Sequence, residues 1–392
     1  MRVKDLRIRE VLATNTEKTV EVEIETKKGI VRSSVPIGTS KGRHEVKYLP
    51  IEDVLRKFHL IKRQFLTEVK DQKDVDETLR IIDKTPDFRY IGGNLALAIS
   101  SAFLKVFALE AGQEVFEYLS DQTKEKINIP KPVCNIIGGG KHLGRIDIQE
   151  FHLIPVHQKS FLDSITKIAS AYRTEGKELR LEDPTFVFAK NIESAWVSNL
   201  SFEEILKMMT KVANEYLLKL GIDFAASELW DGNQYYVYRY SNKVLSTIEQ
   251  LRFIKELIRT YPIIYLEDPF HEDDFVSFSI LTHETQPKLI VGDDLYSTNL
   301  KRLKDGIDFK ATNAVIIKPN QIGTITDTIE FIKEAKKHRM ITVVSHRSGE
   351  TEDTLICHLA VGLGCDYIKL GISGERTTKI NEIIRIEEKV KI

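Results

Sequence analysis

Five ionisable residues, Glu267, Asp293, Lys318, His346 and Lys369, follow one another at steps of 26, 25, 28 and 23 positions. Each stands at the end of a short apolar run: Ile263 to Leu266, Leu289 to Val291, Val315 to Ile317, Thr342 to Val344, and Tyr367-Ile368. Gathered in one place, the acids could hold a hard cation and the lysines could take up a proton or bind an anion. The spacing is that of a strand plus a helix. Short, fully apolar strands alternating with helices imply a parallel sheet covered by helices. Closed into a barrel, such a sheet brings the carboxyl ends of its strands to one mouth, where the chemistry of these folds sits. A doubly wound open sheet with salt-bridged strand ends would share the pattern.

Earlier in the chain, Ile146 to Ile154 has the pattern of a strand, with Gln149 and Glu150 set among apolar neighbours. A carboxylate there needs a partner or a purpose. Gly221 to Ala225 supplies another strand, bearing Asp223. The glycine-rich Gly138-Gly139-Gly140-Lys141-His142 fits neither nucleotide fingerprint, because Lys141 is followed by His142 and the glycine spacing is wrong. Pro36-Ile37-Gly38-Thr39-Ser40-Lys41-Gly42 suits either a mobile lid or an ordinary surface turn.

The elements that must position these residues follow from periodicity. Residues 1 to about 50 have strand character, with Thr19 to Glu25 and Ile30 to Val35 forming a hairpin about Lys27-Lys28-Gly29. From Ile51 the pattern turns helical, most clearly over Asn94 to Glu110. Ser201-Phe202-Glu203-Glu204 and Ser246-Thr247-Ile248-Glu249 each open a helix with a capping box. The division this suggests is an α+β module, residues 1–125, before a barrel, residues 126–392.

With 392 residues the chain can bury a large core, and 58 acidic against 57 basic residues leave neither nucleic acid nor an anionic membrane as the expected partner. The first residues lack an apolar leader and no uninterrupted apolar run approaches a membrane span, so a cytoplasmic protein is expected. Cys134, Cys357 and Cys365 have the spacing of neither a disulfide framework nor a zinc site.

The motifs carry a resemblance over nearly the whole chain. Leu266-Glu267-Asp268-Pro269-Phe270, Val291-Gly292-Asp293-Asp294-Leu295, Asn320-Gln321-Ile322-Gly323-Thr324 and Ser345-His346-Arg347-Ser348-Gly349-Glu350-Thr351-Glu352-Asp353 are similar to those of the enolases, the phosphopyruvate hydratases. So are Gln149-Glu150-Phe151, Ile222-Asp223, Ile368-Lys369 and Arg385-Ile386-Glu387-Glu388. The resemblance implies an α/β fold, a (β/α)8 barrel with an N-terminal α+β capping domain. It also implies an enzyme, a lyase that dehydrates 2-phospho-D-glycerate reversibly to phosphoenolpyruvate, and a homo-oligomer.

By the same resemblance Asp223, Glu267 and Asp293 hold Mg2+, and Ser40 lies in a mobile loop serving a second magnesium. Lys318 is the base, Lys369 binds the carboxylate of the small phosphorylated substrate, and Arg347 and Ser348 hold its phosphate. His142, Gln149, Glu150, Ser345 and His346 line the remainder of the pocket. The residue types suit the task. Removing a proton beside a carboxylate builds a second negative charge, against which a lysine about 4 Å away contributes about 4 kcal/mol, and a divalent ion about twice that. A lysine near another lysine and near metal ions is expected to have a lowered pKa.

Three departures stand out. Enolases carry a Gly-Asp-Glu-Gly-Gly loop whose glutamate helps hydroxide leave as water. That loop is missing here with its acid glutamate, and counting back from Ala189-Lys190-Asn191-Ile192 puts Thr185 at the acid's position, with Glu182 and Asp183 nearby. Ala13-Thr14-Asn15-Thr16-Glu17-Lys18 replaces Asp-Ser-Arg-Gly-Asn-Pro at the usual dimer contact, and Gly138 replaces an asparagine. Three readings follow: a hydratase in which Glu150, Glu182 or Asp183 supplies the acid, an enzyme forming a metal-stabilised enolate from another carboxylate, or a non-catalytic metal-binding or assembly protein.

Overall fold

The computed structural model describes residues 3–39, 42–66, 68–142, 144–286 and 288–391. Three strands, β1 (Asp5–Leu12), β2 (Lys18–Glu25) and β3 (Ile30–Ser34), form an antiparallel sheet in the order β1-β2-β3. Val20, Val22 and Ile24 of β2 turn one face of it into core. Helices α1 (Ile51–Ile61), α2 (Gln72–Asp83), α3 (Gly93–Ala111) and α4 (Val115–Thr123) follow. Against the expectation that no run approaches a membrane span, α3 is long and apolar enough by length and composition. It is a core helix: 78% of its most apolar window is buried inside the protein, between the cap sheet and the barrel helices.

The rest of the chain closes an eight-stranded barrel, running around the ring as β4 (Lys131–Gly138), β5 (Glu150–Pro155), β6 (Leu218–Asp223), β9 (Ile263–Glu267), β10 (Leu289–Gly292), β11 (Ala314–Ile317), β12 (Ile341–Ser345) and β13 (Tyr367–Gly371). A small hairpin, β7 (Tyr235–Tyr238) with β8 (Lys243–Ser246), interrupts the sequence. The helices are α5 (Phe161–Glu182), α6 (Phe202–Glu215), α7 (Thr247–Thr260), α8 (Phe275–Thr285), α9 (Leu300–Phe309), α10 (Pro319–Ile322), α11 (Ile325–Lys337), α12 (Leu355–Gly362) and α13 (Thr377–Val390). Val133, Ile154, Val291, Ala314, Ile316 and Val343 fill the interior.

One detail corrects the strict alternation of strand and helix. β5 runs antiparallel to both β4 and β6, and α5 and α6 come in succession after it. Antiparallel neighbours need no helical crossover. The residues between β4 and β5 are thereby free to form an irregular rim, which brings His142 and Gln149 to the mouth and leaves only Glu150 onward as strand. Both expected capping boxes are present, Ser201 with Glu204 and Ser246 with Glu249. The three cysteines are buried free thiols, and burial pushes the Cys365 thiol up to about 12.

Cap and barrel meet at Asp353, whose carboxylate accepts from Lys105 Nζ at 2.6 Å, Ser33 Oγ at 2.9 Å and the Ser34 amide at 3.0 Å. Ile37 and Gly349 exchange backbone hydrogen bonds of 2.7 and 2.8 Å, which tie the loop after β3 to the loop after β12.

Glu175, fully buried on α5, has no hydrogen-bond partner for either carboxylate oxygen among the described residues. Burial, aided by Glu178, pushes its pKa up to about 8. The folded protein therefore keeps a proton that the unfolded chain releases near 4.5, so stability falls as pH rises through that window. Glu175→Leu is expected to stabilise the protein, with a gain that grows by about 4 kcal/mol between the two ends of the window. Thermal melting at both ends checks this; a gain independent of pH would refute it.

Candidate active site

The strand-end residues converge as the spacing implied. Glu267 closes β9 and Asp223 closes β6, Asp293, Lys318 and His346 directly follow β10, β11 and β12, Lys369 lies in β13 and Glu150 opens β5. All are buried, and a narrow cavity is lined by His142, Gln149, Glu150, Asp223, Lys318, Ser345, His346, Arg347, Ser348 and Lys369, together with Glu193. The positions Glu150, Asp223 and Glu267 are level across three adjacent strands.

Ion pairing dominates the floor of the pocket. Lys369 Nζ lies 2.8 Å from both Asp223 Oδ2 and Glu267 Oε1 and 3.3 Å from Glu150 Oε1. Gln149 donates to Asp223 at 3.3 Å. Lys318 Nζ bonds Asp293 Oδ2, whose other oxygen accepts from Gln321 at 3.1 Å. Burial would push both ammonium pKa values down, but the carboxylates outweigh it and both are raised. The lowered value expected for Lys318 is therefore not a property of the free protein, because Asp293 is nearer to it than any cation. Pro319 after Lys318 is the first residue of α10, where its missing N–H costs nothing.

Four carboxylates thus face two ammonium groups, an acidic excess made only of hard oxygen donors. These residues fit a divalent ion. Asp268, which groups closely with Asp293 and Asp294, is already committed: it accepts from the Asp293 and Asp294 amides at 2.9 and 2.7 Å.

At the opposite side of the mouth, Arg347 is held by both oxygens of Glu45 at 3.1 Å, a cap residue that the sequence did not single out. Ser348 Oγ accepts the Thr39 amide at 2.8 Å, so the loop after β3 rests directly on the cationic rim. Ser40 lies outside the described residues. The Ser345 hydroxyl donates to the His346 carbonyl at 3.0 Å.

Glu193 completes the ring. Its Oε2 accepts from Asn135 Nδ2 at 3.0 Å and lies 3.4 Å from His142 Nδ1 and 3.7 Å from His346 Nε2. Ligand atoms of His142, Glu150 and Glu193 all fall within 4.8 Å of one another. Two buried carboxyls so close split their affinities. Burial and the neighbouring acids raise Glu150 to about 7. Burial acts the same way on Glu193, but surrounding cationic groups outweigh it and hold Glu193 low. By contrast Glu182 is exposed, and Asp183 is spent on the Thr185 amide at 2.9 Å and on Asn199 at 3.2 Å. None of Glu182, Asp183 and Thr185 lines the cavity.

Residues 3–119 match the family described as "Enolase, N-terminal domain", and residues 125–391 match "Enolase, C-terminal TIM barrel domain". The chain belongs to the enolase family. It is 38% identical to the enolase of Methanothermobacter thermautotrophicus, covering 99% of this chain and 97% of that one. Its identity to the Methanosphaera stadtmanae enolase is 39% with the same coverage, and to that of Picrophilus torridus 38%, covering 99% of each. Enolases use a divalent metal, and this site has the acidic groups to hold one.

Written beneath the Gly-Asp-Glu-Gly-Gly string named above, Asn191-Ile192-Glu193-Ser194-Ala195 has Glu193 at the place of its glutamate. The backbone agrees: Ser194 has φ 61°, the left-handed region where glycine is favoured. The first glycine of the loop becomes Asn191, and the asparagine expected at 138 becomes Gly138. The two changes compensate, for a Cβ on Gly138 would sit 2.1 Å from Asn191 Nδ2. Asn191 Oδ1 accepts the Glu193 and Ala195 amides at 2.9 and 3.0 Å, which shapes the turn presenting Glu193. Counting back from Ala189 passes this residue by. Its signal was a carboxylate among Ile192, Ala195 and Trp196, the same signal that marked Glu150.

Proposed function

We propose that this protein is a working enolase, catalysing the Mg2+-dependent, reversible dehydration of 2-phospho-D-glycerate to phosphoenolpyruvate. The observation that carries the reading is the placement of base and acid. Lys318 follows β11, and Glu150, with Glu193 beside it, opens β5, four places away around a ring of eight strands. A base and an acid on opposite walls can remove a proton from one face of the substrate while the hydroxyl departs toward the other.

In this reading Lys318 Nζ takes the proton beside the substrate carboxylate, and Lys369 binds that carboxylate. Arg347 and Ser348 hold the phosphate, and family likeness gives Ser40 to the binding of a second Mg2+. The Glu150–Glu193 pair, bridged by His142, gives the proton that lets the hydroxyl leave as water, with Glu193 in the position of the enolase acid. Gln149, Ser345 and His346 wall the pocket and exclude water. Asp223, Glu267 and Asp293 would hold Mg2+, which when bound supplies positive charge against the doubly negative carboxylate. Residues 1–125 form the cap and residues 126–392 the barrel, in a cytoplasmic homo-oligomer. Family likeness supports these last assignments.

The test is absorbance of phosphoenolpyruvate formed from 2-phosphoglycerate, run beside carbon–proton exchange in deuterated water. Turnover is expected with Mg2+ and none after chelation. Exchange without elimination would mean a functioning base and no acid, and would defeat the role given to Glu193.

A further inference from the structure

The acidic row Glu150, Asp223 and Glu267 lies directly on a second row. Two residues further into the barrel on the same three strands, His152, Gly221 and Tyr265 are level with one another, and a two-residue step returns to the same face. His152 and Tyr265 are fully buried and their rings meet edge to face, with centroids 5.6 Å apart at 81°. Gly221 between them leaves the room: a Cβ there would lie 3.2 Å from both Cβ and Nδ1 of His152 and 2.9 Å from Ile154 Cδ1.

Each ring reaches one carboxylate above it. Tyr265 Oη donates to Glu267 Oε2 at 2.6 Å, and His152 Nε2 bonds Glu150 Oε2 at 2.8 Å. In both acids the lower oxygen is thereby occupied and the upper one, Oε1, is left facing Lys369, at 2.8 Å for Glu267 and 3.3 Å for Glu150. A carboxylate with one oxygen fixed cannot swing about its terminal bond, so the oxygen offered to the pocket is set before any ligand arrives.

We infer that Tyr265 and His152 form a hydrogen-bonded aromatic floor, in which Tyr265 is a positioning residue for the cation site and His152 one for Glu150. The inference rests on the assignment of Glu267 as a cation ligand. Outer hydrogen bonds to metal ligands are typically worth about ten- to a hundredfold in affinity. Tyr265→Phe keeps the ring and its packing while removing the bond, and His152→Phe removes the bond beneath Glu150 with a somewhat larger ring.

The experiment is calorimetric titration of the substrate-free protein with Mg2+, with melting of the metal-free variants as a check on folding. Tyr265→Phe is expected to weaken Mg2+ binding about tenfold or more without a matching loss of melting temperature, while His152→Phe weakens it by less than about threefold. A smaller loss for Tyr265→Phe, with Glu267→Gln abolishing binding, overturns the floor and leaves the cation site standing. Equal losses in both phenylalanine variants overturn it too, since packing would then be the cause. Glu267→Gln binding Mg2+ as the parent does would overturn the ligand assignment itself.

Discussion

Lys318→Ala is expected to lower turnover of 2-phosphoglycerate by about a thousandfold or more and to abolish carbon–proton exchange with it. Two losses combine. A positioned general base contributes about a hundred- to ten-thousandfold. An ammonium about 4 Å from the developing charge adds about 4 kcal/mol, which is itself about a thousandfold. Alanine leaves nothing else on that wall to accept the proton, because Lys369 is committed to Asp223, Glu267 and Glu150. Mg2+ binding should survive, or tighten, since Lys318 Nζ no longer competes for Asp293 Oδ2. Exchange at the parental rate in the variant would remove Lys318 from the role of base.

The second expected result separates the two halves of the reaction. Glu193→Gln should slow elimination by about a hundred- to ten-thousandfold while the substrate proton continues to exchange. Glutamine keeps the volume and can still meet Asn135 and His142, so the pocket persists and only the carboxylate that shares a proton with Glu150 is lost. Glu182→Gln should be silent, because that side chain is exposed on the last turn of α5. Parental elimination in Glu193→Gln would return the acid's role to Glu150 alone, and parallel loss of exchange and elimination would mark Glu193 as part of substrate binding instead.

Much of this site was legible along the chain because it sits at the ends of regular elements. Glu267 ends an apolar strand, Asp293, Lys318 and His346 directly follow one and Lys369 lies within one, and parallel strands of a barrel carry these positions to one mouth. Glu150 and Asp223 declared themselves as carboxylates inside apolar strands. Glu193 was harder, since it stands in a turn between α5 and α6 whose glycines are absent. Ser194 adopts the left-handed conformation without being glycine, and Asn191 takes space that Gly138 vacates more than fifty residues earlier. Glu45 escaped for another reason: only the seating of the cap on the barrel brings it to Arg347.

From its sequence alone this protein had a determined fold class, a succession of strands and helices, capped helices and the chemical identity of nearly every group in the pocket. Periodicity and local hydrogen bonding are properties of neighbouring residues and need no other part of the chain. Closure of the barrel decided the rest: that β5 runs against its neighbours, that Lys318 answers Asp293 before any cation does, and that His152 and Tyr265 meet across Gly221 beneath the acids. Such contacts join residues far apart in sequence, and their distances follow only from how the packed strands and loops come to rest against one another.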